Sequence, residues 1–343
     1  MRAWIEYSHV LDADDWRRRH DLGEVPDALP YGLDRLGGHG VDLRVRPPLP
    51  QSWRPIARVA RRGGYEWVEA VAAPVPADAE VCVCWEERIG APRALRSGRR
   101  VAVASGAIWI TDSSGPLHRM AIEGLRRCAV VWALSGAQLS PLTDMGVPRS
   151  RVEQLVFGVD ADFFTRPDGV DREPGLVVSA GRDPHRDWPT LLDAFAEVRR
   201  HRPDARLEIA SPVPLTPAPG VTLHPHLTHS AFRALLARAW VVAVPTLDNL
   251  HVSGMTTALE AKAVQAPVLV SRTPGIEDYV TQKEGRLLRV GDVASWAGAL
   301  LDLLDADAGD IARMGGAGRR SVEAVHNTER QAKDMAALLA RHC

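Results

Sequence analysis

The sequence predicts an α/β protein made of two doubly wound, Rossmann-like domains, and three observations carry that expectation. Short runs of β-branched and small apolar residues, such as VCVCW at 81–85, VVWAL at 130–134 and VVAV at 241–244, lack the apolar–polar alternation of a half-exposed strand. They read instead as strands buried on both faces, the mark of a parallel sheet. Between these runs lie stretches at helical spacing, so strand and helix alternate. The alternation lapses over 161–174, a Pro-bearing segment of little periodicity, and then begins again. A first domain over 1–160, a linker over 161–174 and a second domain over 175–326 follow, with a last helix over 327–343.

Composition bounds the class of protein. A length of 343 residues is a soft prior for about two domains. The hydrophobic fraction of 45% with 25% charged residues is that of an ordinary globular chain. Forty-two basic against 43 acidic residues give a formal charge of −1, which favours neither nucleic acid nor a membrane surface. No stretch reaches the roughly 18–20 apolar residues of a membrane span. The opening MRAWIEYSHVLDADDW turns acidic too early for a signal peptide. Cys82, Cys84, Cys128 and Cys343 lack zinc spacing, and the expectation is a reduced, cytoplasmic protein with buried thiols and no metal site.

Taken in order, Ala3 to Tyr7 forms a first strand, and Val10 to Pro30 a long loop at its end. ALPYGLDRLGGHG reads as a helix with a Gly-rich end, and Val41 to Val45 as the next strand. No G-x-G-x-x-G follows the first strand, so the dinucleotide fingerprint is absent. Long loops at the carboxyl ends of parallel strands tend to line ligand clefts, and His9 and Tyr31 sit where such a cleft would be. Glu80 to Trp85, Arg100 to Ala104 and Val130 to Ser135 are further strands, with an amphipathic helix over Leu117 to Arg127.

In the second half GLVVSAGR is a strand, and Leu191, Leu192, Phe195 and Val198 mark one face of the helix after it. Later come the strands ARLEIAS and VTLHPHL, and a helix capped by Thr228 or Ser230. The stretch Trp240 to Val280 carries the chemistry. A strand stopped by Pro245 leads into a polar loop, Thr246 to Gly254, and then a helix faced by Ala258, Leu259, Ala261, Ala263 and Val264. The start of that helix offers free N–H groups, the positive end of a dipole, and the hydroxyls of Thr256 and Thr257. Together with Ser253, Gly254 and Met255 these suit a phosphate or pyrophosphate. Glu260, one turn in, can hydrogen-bond a neighbouring diol. The bland alternative is an ordinary capped helix in an α/β sheet.

Four segments, in order, resemble the retaining glycosyltransferases of the GT-B fold, the glycosyltransferase family 4-like group that includes sucrose, glycogen and mannosyl transferases. They are VWALSGAQLSPLTDMGVPRSRVEQLVFGVDADFF, SAGRDPHRDWPTLLDAF, SGMTTALEAKAVQAPVLVSRTPGIEDYV and GRLLRVGD. The resemblance implies two Rossmann-like domains facing across a cleft, the first for the acceptor and the second for a nucleotide-sugar donor. It also implies that the closing helix, 327–343, crosses back onto the first domain. Its apolar stripe of Ala332, Met335, Ala336, Leu338 and Leu339 suits that role.

The implied activity is transfer of a sugar from a nucleotide diphosphate to a hydroxyl acceptor, with the anomeric configuration retained. The acceptor is a saccharide, a lipid-linked sugar or a natural-product aglycone; nucleic acid is not a partner, and neither a metal nor another cofactor is needed. Arg182 and Arg186, close after Gly181 at a strand end, would neutralise charge growing on the pyrophosphate. Asp248 or His251 would serve the donor sugar's hydroxyls, with Asp248 the preferred candidate. The chain departs from the family where Val252 replaces a customary Glu, where Arg186 replaces Lys, and where Ser211 and Pro212 replace a Gly-rich turn. Val252 favours the competing reading of a catalytically silent GT-B partner protein; a sugar-nucleotide epimerase or a phosphorylase of this fold is the other alternative.

Overall fold

The computed structural model describes residues 1–8, 11–60, 64–97, 100–115, 117–216 and 218–343. They divide into two compact units. Unit 1 comprises Met1–Arg19, Ala28–Val156 and Glu329–Cys343; unit 2 comprises His20–Asp27 and Phe157–Thr328. The range of unit 2 includes the segment read as a linker, 161–174. Phe163 and Phe164 are buried, and Arg319 Nη1 donates to the carbonyls of Ala161 at 2.7 Å and Phe164 at 3.0 Å.

Unit 1 is built on a six-stranded sheet in the order β2-β1-β3-β4-β5-β6, every pairing parallel. The strands are β1 (Arg2–Glu6), β2 (Asp42–Val45), β3 (Val81–Cys84), β4 (Ala102–Gly106), β5 (Val130–Ala133) and β6 (Val152–Gln154). Helices α1 (Ala13–Asp21), α2 (Arg54–Ala60), α3 (Trp67–Ala72), α4 (Glu87–Ser97), α5 (His118–Arg127) and α6 (Leu139–Asp144) connect them. Chain order reverses between β1 and β3, so the carboxyl ends of these neighbours flank a topological switch point, where ligands bind in open parallel sheets.

Two expectations about this unit change. The loop over 10–30 contains α1, which buries none of its residues, so no apolar stripe announces it. Charge and capping support it instead: Asp12 Oδ1 accepts the Asp15 N–H at 3.1 Å, Asp14 and Asp15 sit at the dipole's positive end, and Arg17 pairs with Asp14 at 3.2 Å. The helix expected over 28–40 is a 3₁₀ segment, Pro30–His39, broken where Tyr31 (φ 64°) and Gly32 (φ 65°) leave helical geometry.

Unit 2 repeats the plan in the order β12-β11-β10-β7-β8-β9, again parallel. Its elements are β7 (Leu176–Ala180), α7 (Trp188–His201), β8 (Arg206–Ala210), β9 (Val221–His224), α8 (His229–Arg238), β10 (Val241–Val244), α9 (Met255–Ala263), β11 (Val268–Ser271), β12 (Gly285–Leu288), α10 (Val293–Leu304) and α11 (Ala308–Ala324). Thr228 Oγ1 caps α8 by accepting the Ala231 N–H at 3.1 Å. The switch point here lies between β7 and β10, which pair directly.

The last helix, α12 (Thr328–His342), runs almost wholly within unit 1. Ala332, Met335, Leu338 and Leu339 are buried, Glu329 meets His39 at 2.9 Å, and His342 meets Glu153 at 3.0 Å. Just before it, Asn327 Nδ2 donates to the carbonyls of Val322 and Glu323 at the end of α11.

Candidate active site

The site of unit 2 grows from the two loops that leave β7 and β10 at the switch point. They are zipped together: the Leu247 N–H donates to the His185 carbonyl at 2.8 Å, and the Asp187 N–H to that of Pro245 at 3.1 Å. Asp187 then caps α7 through the Thr190 N–H at 3.2 Å, which fixes where the first loop ends.

Arg186 occupies the middle of this arrangement. Its side chain is buried, and Nη2 donates to Thr257 Oγ1 at 3.1 Å. Gly181 (φ 142°) and Gly254 (φ 86°) both make room for it, since a Cβ on either would fall inside contact distance of the guanidinium. Neither Nε nor Nη1 has a hydrogen-bond partner among the described residues. Burial pulls its pKa down to about 10, against the opposing charges of Asp183 and Glu260, so the group stays cationic at neutral pH. Arg182, four residues earlier, is exposed.

Gly254 opens α9 in the left-handed region. Ahead of it the loop is braced by Asn249, whose Oδ1 accepts the Ser253 N–H at 2.8 Å while Nδ2 donates to the Leu247 carbonyl at 2.7 Å. Val252 sits at φ 50°, which is costly for a β-branched residue. Ser253, Met255 and Thr257 are buried, whereas Thr256 is exposed at the start of the helix. Glu260 lies half-buried one turn further on, and burial lifts its carboxyl to about 8, with Arg186 opposing.

The structure also joins His251, the second candidate for the sugar hydroxyls, to two residues the sequence did not single out, Asp183 and His185. His251 Nε2 lies 3.0 Å from Asp183 Oδ2, and the His185 N–H donates to Asp183 Oδ1 at 2.8 Å. The two imidazoles meet edge to face at 4.7 Å. Burial opposes ionisation of Asp183, but the hydrogen bonds from His251 and His185 outweigh it and hold the carboxyl well below its usual range. Asp248, the sequence candidate, stands exposed on the same loop, and His251 turns inward in its place. For Asp183 and His185 the sequence signal was their place between Arg182 and Arg186. Asp183, His185 and His251 present ligand atoms within 4.8 Å of one another, a set with the reach to hold a cation. In unit 1, Glu6, Cys82 and Cys84 form a similar cluster, but Arg93 occupies both oxygens of Glu6 at 2.6 and 3.1 Å, which marks it as a structural core pair.

Of the two acceptor-side candidates, His9 lies outside the described residues. Tyr31 belongs to unit 1, where its ring stacks on Trp85 at 4.2 Å and 6°.

Comparison with known proteins adds the family. Residues 174–306 match the family described as Glycosyl transferases group 1. Over 256 residues the chain is 30% identical to the GDP-mannose-dependent alpha-(1-6)-phosphatidylinositol monomannoside mannosyltransferase of Mycolicibacterium smegmatis, covering 66% of this chain and 67% of that protein. A GDP-mannose-dependent monoacylated alpha-(1-6)-phosphatidylinositol monomannoside mannosyltransferase of Corynebacterium glutamicum is 28% identical over 202 residues, 52% of this chain and 53% of that one.

Among solved structures, the fold matches Anabaena HepE in complex with UDP and glucose, at TM-score 0.70, 13% identity and 99% of both chains. It also matches sucrose-phosphate synthase from Thermosynechococcus elongatus, at TM-score 0.70 and 16% identity, over 99% of this chain and 98% of that one. Two parallel six-stranded sheets of this kind are the GT-B architecture of glycosyltransferases. The chain belongs to the glycosyl transferases group 1 family and is a nucleotide-sugar-dependent glycosyltransferase. No helix among the described residues is long and apolar enough to cross a membrane.

Proposed function

We propose that the protein transfers a hexosyl group from a nucleoside-diphosphate sugar to a hydroxyl of a saccharide or lipid-linked saccharide, with retention and without a metal ion. One observation supports this reading: two nitrogens of the buried Arg186, Nε and Nη1, have no hydrogen-bond partner among the described residues, beside the start of α9. In such a transfer the leaving nucleoside diphosphate gains negative charge at the transition state. A fixed cation and a helix N-terminus stabilise that charge more than they stabilise the ground state. The departing phosphate then takes the acceptor's proton, so no separate protein nucleophile or base is required at the reacting carbon. Thr256 and Thr257 supply hydroxyls to the phosphates, Arg182 adds a second cation, and Glu260 receives the ribose diol.

The curated relatives use GDP-mannose and HepE was solved with UDP and glucose, so GDP-mannose and UDP-glucose are the donors to try first. Buried free thiols at Cys82, Cys84 and Cys128 support a cytoplasmic site of action, where such thiols stay reduced. The experiment is nucleotide release from each donor with and without a glycoside acceptor, in the presence and absence of EDTA, with the product anomer read by NMR. The expected result is acceptor-dependent release that EDTA leaves unchanged, and a product of the donor's configuration. Loss of turnover in EDTA would assign Asp183, His185 and His251 to a required cation. An absence of release from any donor would favour the silent-partner reading that Val252 raises.

A further inference from the structure

Asp183 and His185 lie on the loop after β7, and His251 lies on the loop after β10. An antiparallel bridge between Arg186 and Thr246 adds to the bonds from the Leu247 and Asp187 N–H groups, so the two loops form one short ribbon. The three side chains are therefore held in place before any ligand arrives, which lowers the entropy cost of binding one.

Two features of the cluster exceed what a hydrogen-bonded pair needs. Asp183 Oδ1 already accepts the His185 backbone N–H at 2.8 Å, yet the ring of the same histidine brings Nδ1 to 3.3 Å from that oxygen, longer than an ordinary N–H···O bond. Ser253, 3% exposed and near enough to act on the Asp183 carboxyl, has an Oγ without a hydrogen-bond partner among the described residues. Donors held about 2.0–2.2 Å from a tetrahedral ion stand about 3.3–3.6 Å apart. His185 Nδ1 and His251 Nε2 approach the carboxylate at 3.3 and 3.0 Å, and the ligand atoms of all three residues lie within 4.8 Å of one another. The His185 side chain is 27% exposed against 2% for His251, so its ring is the one with room to turn.

We infer that Asp183, His185 and His251 form a site for one divalent late first-row metal ion, Zn²⁺ or Co²⁺, and that this ion inhibits transfer. The donor set selects that class: two imidazoles and a carboxylate suit Zn²⁺, whereas Mg²⁺ and Ca²⁺ ask for a shell of oxygens. The charge of Arg186 acts on Asp183, and the exposed Arg182 precedes it in the chain. Two cations so placed repel an ion held by charge alone, and bonding to imidazole nitrogen is what offsets them. Inhibition follows from His251, a candidate for the donor sugar's hydroxyls, because a nitrogen bonded to the ion no longer hydrogen-bonds a sugar. That consequence rests on the reading of the chain as a transferase that works without a metal; the ion site itself does not.

The full chain, stripped with EDTA and dialysed, is titrated with Zn²⁺ by calorimetry and with Co²⁺ by visible absorption, as wild type, His185→Gln and His251→Gln. We expect one ion per chain in wild type, binding at least about tenfold weaker in His185→Gln, and none in His251→Gln. The Co²⁺ spectrum should lack the thiolate charge-transfer band that Glu6, Cys82 and Cys84 would give, and Mg²⁺ should give no heat. His185→Gln, at a partly exposed position, decides the site alone if His251→Gln does not fold. No ion bound by wild type, wild-type affinity in the folded variants, or equal affinity for Mg²⁺ overturns the site. Donor turnover with and without Zn²⁺ tests the inhibition: the rate should fall as the site fills, and an unchanged rate, or one that needs the ion, overturns it. Absence of turnover with and without the ion defeats the transferase reading and the inhibition with it, while the titration still decides the ion site.

Discussion

Arg186 and Thr257, 71 positions apart, meet through a 3.1 Å hydrogen bond from Nη2 to Oγ1. The bond joins the loop after β7 to the first turn of α9. It orients a buried guanidinium whose Nε and Nη1 have no hydrogen-bond partner among the described residues, an arrangement that costs stability unless an anion arrives.

Arg186→Ala should therefore lower kcat by about 10²–10³, more than it raises the donor KM, because leaving-group charge is larger at the transition state. Arg182→Ala should change kcat in the same direction but less, since solvent screens an exposed cation. Steady-state kinetics check both, and an unchanged kcat in Arg186→Ala removes that residue from the mechanism.

Gly254→Ala tests the cradle rather than the cation. The new Cβ would press on Arg186 Nη1 and Val244 Cγ1 at a φ of 86°. We expect a stability loss of about 1–3 kcal/mol from overpacking, measured by urea unfolding, together with a fall in kcat. Wild-type kinetics in this variant would show that the position of Arg186 does not matter.

Glu260 gives a pH signature. Its carboxyl is raised from 4.5 to about 8 in the fold, so between these values the native state holds a proton that the unfolded chain has released. Stability from this group accordingly falls as pH rises through that window. The Tm of wild type relative to Glu260→Gln should drop between pH 5 and pH 8 without ligand. The donor KM should rise in Glu260→Gln, as expected for a ribose contact made before and during transfer. A pH-independent Tm difference would contradict the burial of this carboxyl.

Asp183 has the opposite sign. Hydrogen bonds from His251 and His185, outweighing burial, hold its carboxyl below the ordinary 3.8, so its stabilisation is present above that value and lost as pH falls. Asp183→Asn should lower Tm at pH 7, and the difference should shrink towards pH 3. A difference that is constant with pH would mean that the pair with His251 contributes no charge-dependent stability.

The closing helix makes a stability prediction. Met335 and Leu339 are fully buried in α12. Met335→Ala and Leu339→Ala should each cost about 2–5 kcal/mol in urea unfolding, the range for deleting a buried side chain of this size. A cost below 1 kcal/mol in both would mean the helix is not anchored by its stripe.

The sequence by itself determined the two parallel sheets, because uninterrupted runs such as VCVC and VVAV can be satisfied only where both faces of a strand are covered. It also marked Gly254 and Thr257 for an anion site and Glu260 for a neighbouring diol, because a helix start has a local signature, while Arg186 entered through the family resemblance. Other features needed tertiary structure. Helix α1 has no apolar face, so its capping and charge left no periodicity to read. The pairing of Asp183 with His251 spans 68 positions, and no spacing rule relates them; only the adjacency of β7 and β10 brings their loops together. For the same reason Asp248 faces solvent while His251, three residues on, is buried. The strained Tyr31 reads from sequence as part of a helix, but its backbone is fixed by contacts with Trp85 and Gln331, which lie far along the chain. Periodicity reports which face of an element is buried, and it carries no information about which distant loop will close over that element's end.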